Sequence, residues 1–291
     1  MSKATPGTES AASRNAASIV TGILAALAFA IMVTANALAN ALPLNGVNTG
    51  QLSDEIPNLF VPTGLTFAIW GLIYLLLAGY IAAILREAFR RNSSGQRWEA
   101  RDGWLFTLNA LANAAWIFAW HWRLIPLSML IMLVILASLY ALEERNFRRF
   151  NGRSAGLGLR VSSKGTALLR FFLNTPINVY LGWICVATIA NMTALLVTVG
   201  WNGFGLDPQT WTVAVIMTGL AIALALMYFR DAVAAPLVVV WAYFGIVLKR
   251  TEVDADQTRA VWMAAAISAV IILVLLAGKL TGLIKGSSSR V

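Results

Sequence analysis

Trp70 and Tyr74 lie four residues apart in an uncharged run, Phe60 to Leu85, whose first half also carries Pro62, Gly64, Thr66 and Phe67. Residues four apart on a helix share one face. A tryptophan and tyrosine face can stack against a flat apolar molecule and offer hydrogen bonds from its polar edge. Lipid contact alone calls for no such face, so it reads as one wall of a site. Of the tryptophans, Trp70, Trp116, Trp183 and Trp241 fall deep inside hydrophobic runs. There they serve either bulky helix packing or an aromatic-lined ligand pocket. Trp98, Trp104, Trp120, Trp122, Trp201, Trp211 and Trp262 fall near the ends of such runs and read as an interfacial belt. The hexapeptide NALANA occurs twice, as Asn36 to Ala41 and Asn109 to Ala114, and each copy sets two asparagines on one helix face. Asn36, Asn40 and Asn109 read as amide bridges between helices, worth about 0.6 to 2 kcal/mol each, with cavity lining as the alternative.

The equipment for bond-breaking chemistry is sparse. No acid or base lies well inside a hydrophobic run, where coupled transporters keep an ionisable group for function. An acid catalyst would have to be Asp54, Glu55 or Asp231, all near run ends, and an exposed carboxylate is a poor proton donor at neutral pH. The single histidine, His121, reads as an interfacial side chain between Trp120 and Trp122 rather than a haem ligand. Cys185 is the single cysteine, which leaves no intrachain disulfide and no cysteine metal cluster, and it reads as packing. No catalytic residue and no metal ligand is assigned.

These residues need a membrane to be positioned in. Hydrophobic residues make up 59% of the chain and charged ones only 12%, against about 25% charged in soluble proteins. Residues 1 to 16 are polar and read as a disordered tail. The spans then read as Ala17 to Ala41, Phe60 to Leu85, Gly103 to Trp122, Leu124 to Leu142, Phe171 to Val199, Thr210 to Phe229, Ala232 to Leu248 and Ala260 to about Ile284. The first is longer than a signal peptide's apolar region of about 7 to 15 residues, so it reads as a retained helix. Pro126 fits the first turn of its helix, and Pro236 reads as a kink. The expectation is an all-α integral membrane protein of about eight transmembrane helices.

All but four of the 22 lysines and arginines fall at one end of this arrangement, the exceptions being Arg123, Lys249, Arg250 and Arg259. The bias places the basic loops Arg86 to Asp102 and Glu143 to Arg170, and with them both termini, in the cytoplasm. Lys279 and Lys285 would snorkel to the same interface. Basic residues confined to such loops explain the net charge of +9 through topology and anionic headgroups, so the expected partners are membrane lipids and no nucleic acid. The expected location is the cell membrane, and small-residue helix faces leave a homodimer open.

In this order the residues resemble the TspO/MBR family, the tryptophan-rich sensory or translocator proteins. Pro62, Trp70 and Tyr74 are similar to its second-helix signature, although that signature's second proline falls on Val61 or Thr63 here. Asn113 and Trp116 match its N-x-x-W, and Tyr180, Trp183, Ala187 and Asn191 match Y-x-x-W-x-x-x-A-x-x-x-N. The resemblance covers about residues 17 to 199 and implies a five-helix membrane domain there, with three added helices in residues 200 to 291. It also implies a cavity between the five helices that binds porphyrins, sterols or other hydrophobic molecules under the loop Leu42 to Phe60. On that footing the ligand-binding residues are Pro62, Phe67, Trp70, Tyr74, Asn113, Trp116, Tyr180, Trp183 and Asn191. No cofactor is assigned; a tetrapyrrole enters as a ligand. A sensory receptor or carrier for a planar hydrophobic ligand is the leading reading. A facilitated transporter using the added helices, and an enzyme acting on a porphyrin or isoprenoid, are the alternatives.

Overall fold

A computed structural model of the chain describes residues 6–42, 44–90, 98–151 and 164–281. Among them nine α-helices and a few short 3-10 turns carry the fold. They are α1 (Pro6–Ala41), α2 (Thr49–Glu55), α3 (Ile69–Ala88), α4 (Ala100–His121), α5 (Ile125–Asn151), α6 (Lys164–Thr198), α7 (Pro208–Phe229), α8 (Ala234–Val253) and α9 (Arg259–Leu280). All except the short α2 reach the length of a span. Seven are also apolar enough to cross a membrane by length and composition, the first turns of α3 being supplied by the 3-10 stretch Gly64–Ala68. The eighth, α4, falls outside that set. Its 22 residues include Arg101, Asp102, Thr107, Asn109 and Asn113; Asp102, Asn109 and Asn113 are buried against neighbouring helices instead of facing lipid, while Arg101 is exposed at the start of the helix.

Several boundaries differ from the sequence reading for local reasons. The α1 backbone is already helical at Pro6 rather than from Ala17, because proline suits a first turn and the stretch that follows Gly7, up to and including Ala17, holds four alanines and no further glycine or proline. In the basic loop Glu143 to Arg170 the described residues, 143–151 and 164–170, are helical. The α5 helix runs on to Asn151 and α6 begins at Lys164; Arg153 and Arg160, expected in the cytoplasmic loop, lie outside the described residues, as does Lys285. Glu143 and Asn146 are buried in that extension, with Asn146 Nδ2 donating to Leu173 O of α6. Pro236 sits in the first turn of α8, where no hydrogen bond is lost, and is no mid-helix kink. Pro176 is the proline inside a helix, in α6.

The helices α3, α1, α4, α5 and α6 touch in that cyclic order and close a five-membered ring, because α6 returns to α3. A second group, α7, α8 and α9, packs among itself and meets the ring chiefly through α8 on α6. Lipid tails are as apolar as leucine, so helices in a bilayer are held by close packing and polar contacts rather than by hydrophobic burial. The contacts follow that rule. Gly103 of α4 lies against Thr21 of α1, Gly22 of α1 against Ala88 and Trp98, and Gly182 of α6 against the backbone of Ala235 in α8. Leucines such as Leu75 and Leu130 point outward, where lipid would cover them.

Ion pairs tie the helix ends. At the basic end Arg145 bridges Asp102 and Glu99, and Arg149 reaches Asp102 at 2.7 Å, joining α5 to α4. Arg230, just past α7, pairs with Glu144 and lies over the Tyr140 and Phe147 rings of α5. Lys279 of α9 pairs with Asp231 at 2.7 Å. Trp98 and Trp120 are almost fully buried, so neither belongs to an interfacial belt, whereas Trp104 and Trp122 are more than half exposed.

Candidate functional site

The loop Leu42 to Phe60 folds over one end of the ring. An Asn48 and Gln51 capping box starts α2 inside it: Asn48 Oδ1 accepts from Gln51 N and Gln51 Oε1 accepts from Asn48 N, both at 2.9 Å. Thr49, Leu52 and Ser53 of α2 are buried, as are Phe60 and Val61 just after it. The segment is fastened all round. His121 Nδ1 donates to Leu44 O at 2.9 Å, and its Nε2 lies 3.2 Å from Thr49 Oγ1. Asn45 Nδ2 donates to His121 O, Asn40 Oδ1 accepts from Thr49 N, and Asn58 Nδ2 donates to Thr193 Oγ1 of α6. Arg123 grips Glu55 with two nitrogens, and Lys249 of α8 pairs with Asp54. His121 is therefore buried beneath the lid rather than placed at an interface, because its two ring nitrogens bond groups that the lid brings down.

Beneath α2 lies a small pocket of about 40 Å³. Pro62, Phe67, Trp70, Trp116, Trp183 and Asn191 line it, together with Thr49, Ser53, Trp120 and apolar residues of α6. Six of the nine residues that the family resemblance implies thus meet at one place. Asn113, Tyr180 and Tyr74 stand behind them. Tyr74 stacks on Trp70 at 5.5 Å, and Trp70 meets Tyr180 and Trp183 edge-on at 5.9 and 6.2 Å. Phe67 meets Trp183 edge-on at 5.9 Å, and Trp116 stacks on Trp120 at 5.6 Å. The rings fill their own cavity. Binding sites for drug-sized molecules occupy roughly 300 to 1,000 Å³, so this one is too small for such a molecule as it stands.

The asparagines divide by role. Asn36 Nδ2 donates to Asn113 Oδ1 at 2.9 Å, and Asn113 Nδ2 donates to Tyr180 OH at 2.8 Å, joining α1, α4 and α6 through the ring interior. Asn109 Nδ2 reaches Ser138 Oγ and Ile135 O of α5. Asn191 and Ser128 bond between α6 and α5 at 3.2 Å. Asn36 and Asn109 are therefore helix bridges, Asn40 holds the lid, and Asn113 is a bridge next to the pocket rather than part of its lining. Replacing Asn113 with leucine removes two interhelical bonds and strips Tyr180 OH of its partner. We expect a loss of about 1 to 4 kcal/mol, read as a melting temperature lower by about 3 to 10 °C in detergent. An unchanged melting curve would show the chain of amides to be idle.

The indole donors around the pocket stand out. Nε1 of Trp116, Trp120 and Trp183 is buried and meets no acceptor. Most buried polar atoms in proteins are hydrogen-bonded, so three unmet donors about one cavity call for an explanation. Trp120, Thr49 and Ser53 are lining residues that sequence reasoning missed. Two signals could have found them: Trp116 and Trp120 are i and i+4, and N-T-G-Q marks a helix start inside the loop. Trp241, well inside α8, donates Nε1 to Thr66 O at 3.0 Å and so holds the start of α3. No group of three or more metal-binding side chains occurs among the described residues. Asp54, Glu55 and Asp231, the acids that could serve a catalyst, each hold a cation.

No curated protein and no solved structure matches the chain. A family model does, that of the TSPO-like protein family, over residues 22–278. The match takes in α7, α8 and α9 as well as the ring, and so extends past the region to about residue 199 over which the motifs carry the resemblance. With seven helices fit to cross a membrane and a family model matched along most of its length, this chain is a multi-pass membrane protein of the TSPO-like family.

Proposed function

We propose that the protein is a membrane receptor or carrier for a planar hydrophobic ligand of the tetrapyrrole, sterol or isoprenoid class, taken up between the ring helices under the α2 lid. The carrying observation is the set of unmet indole donors of Trp116, Trp120 and Trp183 around an aromatic pocket. A flat ligand bearing oxygen acceptors would stack on Trp70 and Trp183 and satisfy those donors, so stacking would supply affinity and the N–H groups orientation. A pocket of about 40 Å³ admits such a ligand only when the lid lifts and the aromatic rings turn aside. The ring end of α3 and the lid are the parts that would move, and the asparagine bridges would hold the helices beneath them in place. Carriage across the membrane and release at the other side would be a further step of the same site.

The test is tryptophan fluorescence of the purified protein titrated with protoporphyrin IX, wild type beside Trp70→Phe and Trp183→Phe. We expect saturable quenching whose midpoint rises about three- to tenfold in each variant, from the lost stacking area and, for Trp183, the lost donor. Quenching without saturation, or midpoints indifferent to both substitutions, would remove the pocket from consideration.

A further inference from the structure

A second and much larger space lies outside the ring. It is a cleft of about 1160 Å³ between the lid-end halves of α5 and α6 on one side and α7 on the other, roofed by Ile56 to Phe60 and by the turn Trp201 to Pro208. It exists because α7 leans on α8 and α9 and touches α6 only lightly. The same stretch of α6 serves both spaces. Ala187, Ala190 and Asn191 face the small pocket, while Thr188, Met192 and Thr193 face the cleft, as expected of opposite sides of one helix. The walls are apolar, with Met129, Leu133, Met192, Leu196 and Val215 among them.

The cleft has a defined depth and a charged rim. From Pro208 to Thr218 along α7 is ten residues, about 15 Å at about 1.5 Å per residue. That is half of a hydrocarbon core about 30 Å thick, the depth of one leaflet's acyl chain. The charged residues lining the space are Asp54, Lys249 and Arg250, all at the rim. Asp54 is neutralised by Lys249. Arg250 is only 7% exposed and meets Asp254 through Nη1 at 3.3 Å, while its Nε is buried without an acceptor. A guanidinium with a free donor at the mouth of an apolar slot suits an anionic group whose tail fills the slot.

We propose that this cleft binds an amphiphile with an acyl chain and an anionic head, the head on Arg250 and the chain lying between α6 and α7 toward Thr218. A free fatty acid and an anionic phospholipid both supply that chemistry. The site is separate from the aromatic pocket and stands whether or not that pocket takes a ligand.

The experiment uses the full chain in phosphatidylcholine vesicles and reads quenching of its tryptophans, Trp201 and Trp211 among them lining the cleft. The probes are dibromostearate and dibrominated phosphatidylglycerol, with dibrominated phosphatidylcholine as the neutral control. Expected is a saturable component absent with the neutral probe. Its midpoint rises on the order of tenfold in Arg250→Gln, and it is lost in a Leu196→Phe, Val215→Phe double variant that fills the slot without touching the rim. The fill variant keeps the proposal testable if Arg250→Gln fails to fold. Saturation by dibromostearate assigns a free fatty acid, and saturation by the brominated phosphatidylglycerol assigns a membrane phospholipid. Quenching that matches the neutral probe, or that survives in the filled variant, overturns the proposal.

Discussion

Valine at position 182 is expected to prevent the protein from being purified as a stable folded species, and alanine there to lower the melting temperature by about 5 to 10 °C. Gly182 of α6 is where the two helix groups meet. A Cβ built on it would lie 2.6 Å from Ala235 O and 2.8 Å from Ala235 Cα of α8, and those are backbone atoms that no rotamer change can move aside. The added carbon can be accommodated only by separating α6 from α8. Overpacking of this kind costs about 1 to 3 kcal/mol per inserted group in a packed core, and a larger β-branched side chain costs more. The separation would also disturb the ring, because α8 touches the start of α3 through Trp241 and Thr66, and Gly245 O accepts from Thr63 N at 3.2 Å. Gly64 and Gly71 serve as controls: a Cβ at either meets nothing within 4 Å, so alanine there should leave the melting curve almost unchanged. Thermal unfolding followed by tryptophan fluorescence checks all four variants, and an equal response from Gly182→Ala and Gly71→Ala would dismiss the contact.

His121→Ala is expected to release the lid. The Leu44 carbonyl can only accept, so His121 Nδ1 carries the hydrogen between them, and Nε2 is left for the Thr49 hydroxyl. The imidazole thus joins the first part of the lid and the first turn of α2 to the end of α4, from a position that is fully buried. Alanine leaves Leu44 O and Thr49 Oγ1 facing a vacated space, at about 1 to 3 kcal/mol for orphaned buried groups. Amide hydrogen exchange over residues 44–55 should accelerate by about tenfold or more, since exchange follows the free energy of local opening. If the lid gates the aromatic pocket, association of protoporphyrin IX should quicken as well. Arg123→Ala is the contrast. Its pair with Glu55 joins two side chains that are each more than two-fifths exposed, and exposed pairs are worth about 0 to 1 kcal/mol. Exchange over the lid that is unchanged in His121→Ala, or changed equally in Arg123→Ala, would refute the latch.

Much of this protein is legible along the chain. Long apolar runs interrupted by arginine-rich loops are a one-dimensional signal, because a bilayer of fixed thickness dictates how many uncharged residues a crossing helix needs. The same holds for the W-x-x-x-Y of the α3 face and the Y-x-x-W of α6, since helical spacing alone puts those residues on one side. Where that logic failed, a through-space partner was the cause. The sequence places Trp98 and Trp120 near span ends, but α1 covers the first at Gly22 and Trp116 stacks on the second. His121 reads as interfacial until the lid folds onto it.

The sequence by itself determined the all-helical membrane class and the approximate spans, because hydrophobic length and helical period are properties of neighbours along the chain; it was the family resemblance that implied six of the residues lining the aromatic pocket. Only the tertiary structure decided that the pocket is narrowed by its own rings, that Asn113 bridges helices instead of lining it, and that a separate cleft opens between α6 and α7. Those depend on the distances between helices far apart in sequence, set by glycine contacts and buried amides acting together, and no local pattern encodes them.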